Sequence, residues 1–172
     1  SPEVRYVDLP GVTDESGARV IAVSETSTAV YVPTPQPTVN IIDETGATVA
    51  STLLPKPAAP QAAATRTGDL ITWWTGDSVL VFGTTGPDGL HYKYTVTPAG
   101  ADIPGGPATT MAGRLLVPVS SGYDVFDPAS GTGERHIAVT RTPTVAPVVP
   151  AAAGSTVLEQ RGAVLFALGA TL

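Results

Sequence analysis

The sequence predicts an all-β chain, a β-propeller or partial propeller of about three and a half four-stranded blades. Three observations carry that prediction. Apolar strand pairs start at Arg19, Asp69, Arg114 and Ser155, spaced by 50, 45 and 41 residues (69−19, 114−69, 155−114). Each pair is followed by a strand that ends at a glycine: VNIIDETG (39–46), HYKYTVTPAG (91–100), YDVFDPASG (123–131) and AVLFALG (163–169). No window of helical length is free of Gly, Pro and β-branched runs, while 18 Gly and 17 Pro supply frequent turns. A single blade cannot bury both of its faces, so recurrence at this period implies stacked sheets.

The 172 residues read as one propeller-like domain. Residues 1–16 hold one strand-like stretch, Val4–Val7. The first unit spans about 17–54, with strands at Val20–Val23, Thr28–Val32, Val39–Ile42 and Thr48–Leu54. Pro33, Pro35 and Pro37 interrupt it because proline donates no ladder hydrogen bond. Residues 55–67 are rich in Ala and Pro and read as an extended connector.

The second unit spans about 68–107. Leu70–Trp74 and Ser78–Phe82 form a hairpin around Thr75-Gly76-Asp77, and Leu90–Thr97 supplies a third strand. The third unit, 113–142, has strands at Arg114–Val119, Tyr123–Asp127 and Arg135–Thr140. A second Ala/Pro connector covers 143–153. The fourth unit, 154–172, offers only Thr156–Gln160 and Ala163–Leu168. That half unit predicts completion by a second polypeptide or a further segment, with Val4–Val7 able to supply one strand.

Composition narrows the function. A net charge of −6 disfavours nucleic acid, whose binding needs a basic face that displaces counterions. No apolar run approaches the length of a membrane-spanning helix, and the opening residues lack a signal-peptide pattern. The chain has no cysteine, which removes disulfides, thiolate metal sites and cysteine nucleophiles.

No motif identifies a reaction. There is no Gly-x-Ser-x-Gly elbow, and Gly83-TTGPDG-Gly89 lacks the lysine of a phosphate loop. Asp43/Glu44, Asp88 and Asp124/Asp127 resemble the carboxylate pairs of glycoside hydrolysis. All lie in or beside turns, where Asp caps backbone amides, and turn chemistry is the stronger reading. His91 and His136 have no ligand partner at short spacing, so neither a metal centre nor a cofactor is predicted.

The candidate ligand-binding residues are Trp73, Trp74, His91, Tyr92 and Tyr123. Trp73 and Trp74 are adjacent on a strand and point to opposite faces. One serves the core, and the other is available to stack on a sugar or an acyl chain. His91 and Tyr92 flank a Gly-rich loop, and Tyr123 opens the Tyr123–Asp127 strand of the third unit.

Gly113-RLLVPVSSGYDVFDPASG-131, with Gly162-AVLFALG-169 and more loosely Val39-NIIDETG-46, resembles the quinoprotein-like (PQQ-type) propeller repeat. His91–Gly100 departs from it by lacking the aspartate. Quinone-dependent enzymes of that family hold their cofactor with a vicinal cysteine pair and a calcium site, and the chain has no such pair. The whole chain, with its Ala/Val/Thr/Pro/Gly composition, is also similar to periplasmic propeller proteins of mycobacteria and corynebacteria, including the polar growth factor A type.

That resemblance implies a non-catalytic scaffold of the cell envelope, anchored to a membrane in its precursor. Its partner would be an amphipathic glycolipid such as trehalose monomycolate, or an envelope membrane protein. The alternatives are a quinoprotein-like oxidoreductase, a glycosidase on the same scaffold, or a protein–protein interaction module.

Overall fold

The computed structural model describes residues 17–86, 89–141 and 147–169. All of its regular structure is β. The strands are β1 (Arg19–Val23), β2 (Ser27–Val32), β3 (Thr38–Asp43), β4 (Thr48–Leu53), β5 (Ala63–Thr67), β6 (Leu70–Trp74), β7 (Val79–Gly83) and β8 (His91–Thr95). They continue with β9 (Thr109–Met111), β10 (Arg114–Val119), β11 (Gly122–Phe126), β12 (Gly133–Ala138), β13 (Val148–Ala153), β14 (Thr156–Arg161) and β15 (Val164–Gly169).

Each sheet is a meander of consecutive strands: β1-β2-β3-β4, β5-β6-β7-β8, β9-β10-β11-β12 and β13-β14-β15. This is the blade pattern of propellers, in which every sheet is built from one continuous stretch of chain. Among the described residues no helix is long and apolar enough to cross a membrane.

The sequence places the strand pairs and the strands after them correctly, but it misreads how each later sheet begins. The connector 55–67 contains β5, and the connector 143–153 contains β13. Both are edge strands. An edge strand needs hydrogen bonds on one side only, so alanine-rich and proline-bearing sequence can form it. Pro150 thus sits in β13 opposite Glu159 of β14. The fourth sheet consequently has three strands rather than the two expected. The expected strand at Val4–Val7 lies outside the described residues.

The described residues divide into two compact units, one drawn from Ser1–Ala58 and Thr85–His91, the other from Ala59–Thr84 and Tyr92–Leu172. The first unit holds β1–β4. Val30, Val32 and Ile42 form its buried cluster, with Ala18 packed against them. The Tyr31 hydroxyl accepts from the Ala58 amide at 2.9 Å, and the Ser27 hydroxyl accepts from the Leu90 amide at 3.0 Å. Asp43 caps its turn as expected, its carboxylate accepting from the amides of Thr45 and Ala47. The Thr45 hydroxyl and those amides hold its carboxyl below the usual range.

The second unit stacks the remaining three sheets. Leu70, Trp74, Val79, Val81, Val96, Ala108, Leu115, Val117 and Phe126 form one buried cluster joining the second and third sheets. Met111, Leu116, Tyr123 and Val157 form a second, between the third and fourth, with Ile137, Val139 and Leu168 at its margin. Trp74 adds a polar tie, its indole N–H donating to the Pro104 carbonyl at 2.9 Å. Central β10 carries Pro118, which lies beyond the residues that pair with β9. Its missing N–H therefore breaks no ladder bond on that side.

Gly106, in the loop before β9, closely approaches the start of β13. A Cβ there would lie 1.8 Å from the Val148 carbonyl oxygen, and the neighbouring Val148 amide donates to Gly105 at 3.0 Å. Gly106→Ala must therefore push the start of β13 away from the third sheet. The expected cost is about 2–4 kcal/mol. Urea unfolding would measure it, and a loss below about 0.5 kcal/mol would show that the approach is not rigid.

Candidate functional site

Two features of the second unit stand out from ordinary packing. The first is an apolar cleft between the third and fourth sheets, with a volume of about 290 Å³. Its walls include Leu116 of β10, Tyr123 of β11, Ile137 of β12, Val139, Val157 of β14 and Leu168 of β15. Beside it β15 exposes Val164 (53%), Leu165 (66%) and Phe166 (37%). In the other three sheets the third strand pairs with a fourth, whereas β15 pairs only with β14 among the described residues.

Next to Tyr123, Glu159 of β14 is fully buried (0% exposed) and surrounded by donors. Its carboxylate accepts from the Tyr123 hydroxyl at 2.5 Å and from Arg141 Nη2 at 2.7 Å, with Arg161 Nε as a third donor. Arg141 also donates to the carbonyls of Val119 and Gly122 in the β10–β11 hairpin. Its guanidinium lies 4.9 Å from the Tyr123 ring centroid, and that of Arg161 lies 4.0 Å from the Phe166 ring centroid. Burial opposes the charge on Glu159, but the bonds from Arg141, Tyr123 and Arg161 outweigh it and hold the carboxyl below its usual value. Burial, then the bond to Glu159, pushes the Tyr123 hydroxyl up. Tyr123 is therefore a neutral donor.

The second feature is a polar chain at the edge of the third sheet. Asp124 and His136 are register partners on β11 and β12. Asp124 is nearly enclosed (5% exposed), and His136 Nδ1 lies 2.7 Å from its Oδ1. The Ala99 amide donates to Asp124 Oδ2 at 3.1 Å. On the other side of the ring, His136 Nε2 lies 3.3 Å from the Ser121 hydroxyl. Ser121 and Ser120 both donate to Asp102, at 2.8 and 3.0 Å. Those two hydroxyls hold the Asp102 carboxyl below the usual range. A cavity of about 260 Å³ adjoins Asp124 and His136, bounded also by Thr97, Ala99, Gly133 and Arg135.

Asp124 corrects the sequence reading: it is a buried strand residue, not a turn cap. Asp127 does behave as expected, its carboxylate accepting from the amides of Ala129 and Ser130. Asp88 lies outside the described residues. The pairing of Asp124 with His136 follows from the β11–β12 register, so hairpin registration from sequence can find it. Asp102 comes from an irregular loop and gives no such signal.

The five aromatic and histidine candidates are not gathered at one place. Trp73 and Trp74 are buried in β6. His91 Nδ1 lies 2.9 Å from the Gly89 carbonyl in the first unit. Tyr92 is exposed on β8, edge-on to Phe82 at 6.1 Å between ring centroids. Tyr123 alone lines the apolar cleft.

No protein-family model and no curated protein sequence matches the chain. Among solved structures it is similar to glutaminyl cyclase of Myxococcus xanthus, at 11% identity and a TM-score of 0.44, over 88% of this chain and 71% of that one. It is also similar to the WD40 domain of SCAP from fission yeast, at 13% identity and a TM-score of 0.44, over 83% and 40%. A third likeness is to BamB from Moraxella catarrhalis, at 9% identity and a TM-score of 0.38, over 91% and 59%. At these scores the blade pattern rests on the sheets of the chain itself.

Glu159→Gln should cost about 3–5 kcal/mol, because it leaves two arginines without their buried counter-charge. The depressed carboxyl also makes stability depend on acid. Its contribution is complete above the unfolded value of about 4.5 and is lost as pH falls through the lower folded value. Denaturant midpoints across that window should fall more steeply for the wild type than for Glu159→Gln, and parallel slopes would remove Glu159 as the cause.

Proposed function

We propose that the chain is a non-catalytic binding scaffold of the cell envelope, acting outside the cytoplasm. Its partner is an extended polypeptide segment that pairs with β15 as the fourth strand of the last sheet. One observation carries this reading: β15 has an open edge among the described residues and exposes Val164, Leu165 and Phe166. An open edge presents unpaired backbone groups, which makes strand addition the cheapest mode of association.

The chemistry of the segment follows from the strand that fills the same place in the third sheet. β12 (GERHIA) turns Ile137 toward the apolar cluster and leaves most of its other side chains to solvent. The partner strand should therefore alternate apolar and polar residues. The envelope location rests on the resemblance of the whole sequence to periplasmic propeller proteins.

A second reading is favoured by the cleft. Its apolar walls at Leu116, Val139, Val157 and Leu168 suit the acyl arm of a glycolipid such as trehalose monomycolate. In that case the scaffold serves glycolipid transport.

A fluorescein-labelled synthetic peptide of alternating Val and Thr, titrated by anisotropy, tests the strand reading. The wild type should bind it saturably, Leu165→Lys about tenfold or more weakly, and Leu53→Lys on β4 as tightly as the wild type. No saturable binding, or equal binding by Leu165→Lys, overturns it. For the glycolipid reading, native mass spectrometry should show retained trehalose monomycolate that Leu168→Asp abolishes. Retention unchanged in that variant, or none in the wild type, overturns that reading.

A further inference from the structure

The polar chain of the third sheet gathers two carboxylates, an imidazole and a hydroxyl at one place. Ser121 has one hydroxyl proton, and its 2.8 Å contact with Asp102 directs that proton to the carboxylate. Asp124 Oδ1 takes the Nδ1 side of the His136 imidazole at 2.7 Å, which leaves Nε2 as the nitrogen able to meet an ion. Nε2 lies 3.3 Å from Ser121 Oγ. One donor atom from each of Asp102, Asp124 and His136 lies within 4.8 Å of the others. His136 is itself 36% exposed, so the place is open to ions from solvent.

We propose that His136 Nε2, Asp102 and Ser121 bind a divalent transition-metal ion of the zinc class, with Asp124 holding the imidazole in position. The donor set selects the ion. An imidazole nitrogen favours zinc and its neighbours over calcium and magnesium, while one carboxylate and a hydroxyl complete a mixed nitrogen–oxygen site. Asp124 supplies the outer-shell carboxylate that metal-binding histidines characteristically have on their other nitrogen. That carboxylate is fixed in turn by the Ala99 amide and by its burial.

The supports are arranged to close on an ion. Ser120 and Ser121 form the turn between β10 and β11, and Asp102 lies in the irregular segment before β9. Only these turn and loop residues must move inward to reach coordination distances near 2.0–2.2 Å. The imidazole stays where β12 and Asp124 hold it. Water fills the remaining positions, since the chain offers three donors at the ion. Neither β15 nor the apolar cleft takes part, so the site stands independently of the binding surface proposed above.

Isothermal titration of EDTA-dialysed protein with Zn²⁺ tests the site, with Co²⁺ absorption as a second reading of nitrogen ligation. The wild type should take up a single equivalent and show cobalt d–d bands. His136→Ala and Asp102→Asn should abolish both, and Asp124→Asn should weaken binding by about 10–100-fold. His91→Ala, which changes the other histidine, should bind like the wild type. Circular dichroism identifies any variant that has lost its fold, and Ser121→Ala then replaces it, with weaker binding expected. Three results overturn the proposal: no saturable uptake, uptake unchanged in both His136→Ala and Asp102→Asn, or uptake lost with His91→Ala.

Discussion

The second unit turns on the carboxylate of Glu159. It is fully buried on β14, and it gathers Tyr123 from β11, Arg141 from the segment after β12 and Arg161 from its own strand. Burying one carboxylate with two guanidiniums carries a desolvation penalty that a pair of apolar sheets does not require. What the arrangement provides is register. Arg141 also binds the carbonyls of Val119 and Gly122, so the chain leaving β12 is fastened to the β10–β11 hairpin and to β14 together. The third and fourth sheets can meet in one way only, because any slip leaves a charge buried without its partner.

Both proposed surfaces inherit that constraint. The apolar cleft takes its shape from Tyr123, whose hydroxyl is fixed by Glu159 and whose ring stands beneath Arg141. The polar chain begins one residue away, where Asp124 points to the opposite face of β11. Adjacent residues of one strand thus serve two separate surfaces: Tyr123 the apolar cleft toward the fourth sheet, Asp124 the polar edge bearing His136.

Sequence alone reveals the blades because their central strands are continuous apolar runs closed by glycine turns, such as Leu70–Trp74 with Val79–Gly83, and Arg114–Val119 with Gly122–Phe126. It hides β5 and β13 because edge strands carry little of that pattern. Their Ala and Pro content gives no β signal, and only the neighbouring strand makes them extended. The same limit applies to the sites. Aromatic residues such as Trp73 and Trp74 attract attention in a sequence, yet in the structure they are core. Asp124 and His136 look unrelated until the β11–β12 register sets them side by side. Glu159 gives no signal at all, since nothing local distinguishes a buried glutamate from a solvated one; two of its three partners, Tyr123 and Arg141, arrive from elsewhere in the chain.

The strand order of the sheets has a consequence for how the molecule assembles and changes. Among the described residues every ladder joins neighbours in sequence, from β1-β2-β3-β4 through β13-β14-β15. Backbone pairing therefore requires only short loops to close, and a newly made sheet can form on the ribosome before the next one emerges. The same locality gives such a chain a unit of growth. Duplicating about 45 residues of coding sequence adds one complete sheet without re-threading any other. Lineages can then lengthen or shorten the array while the side chains at its ends, rather than its topology, decide what it holds.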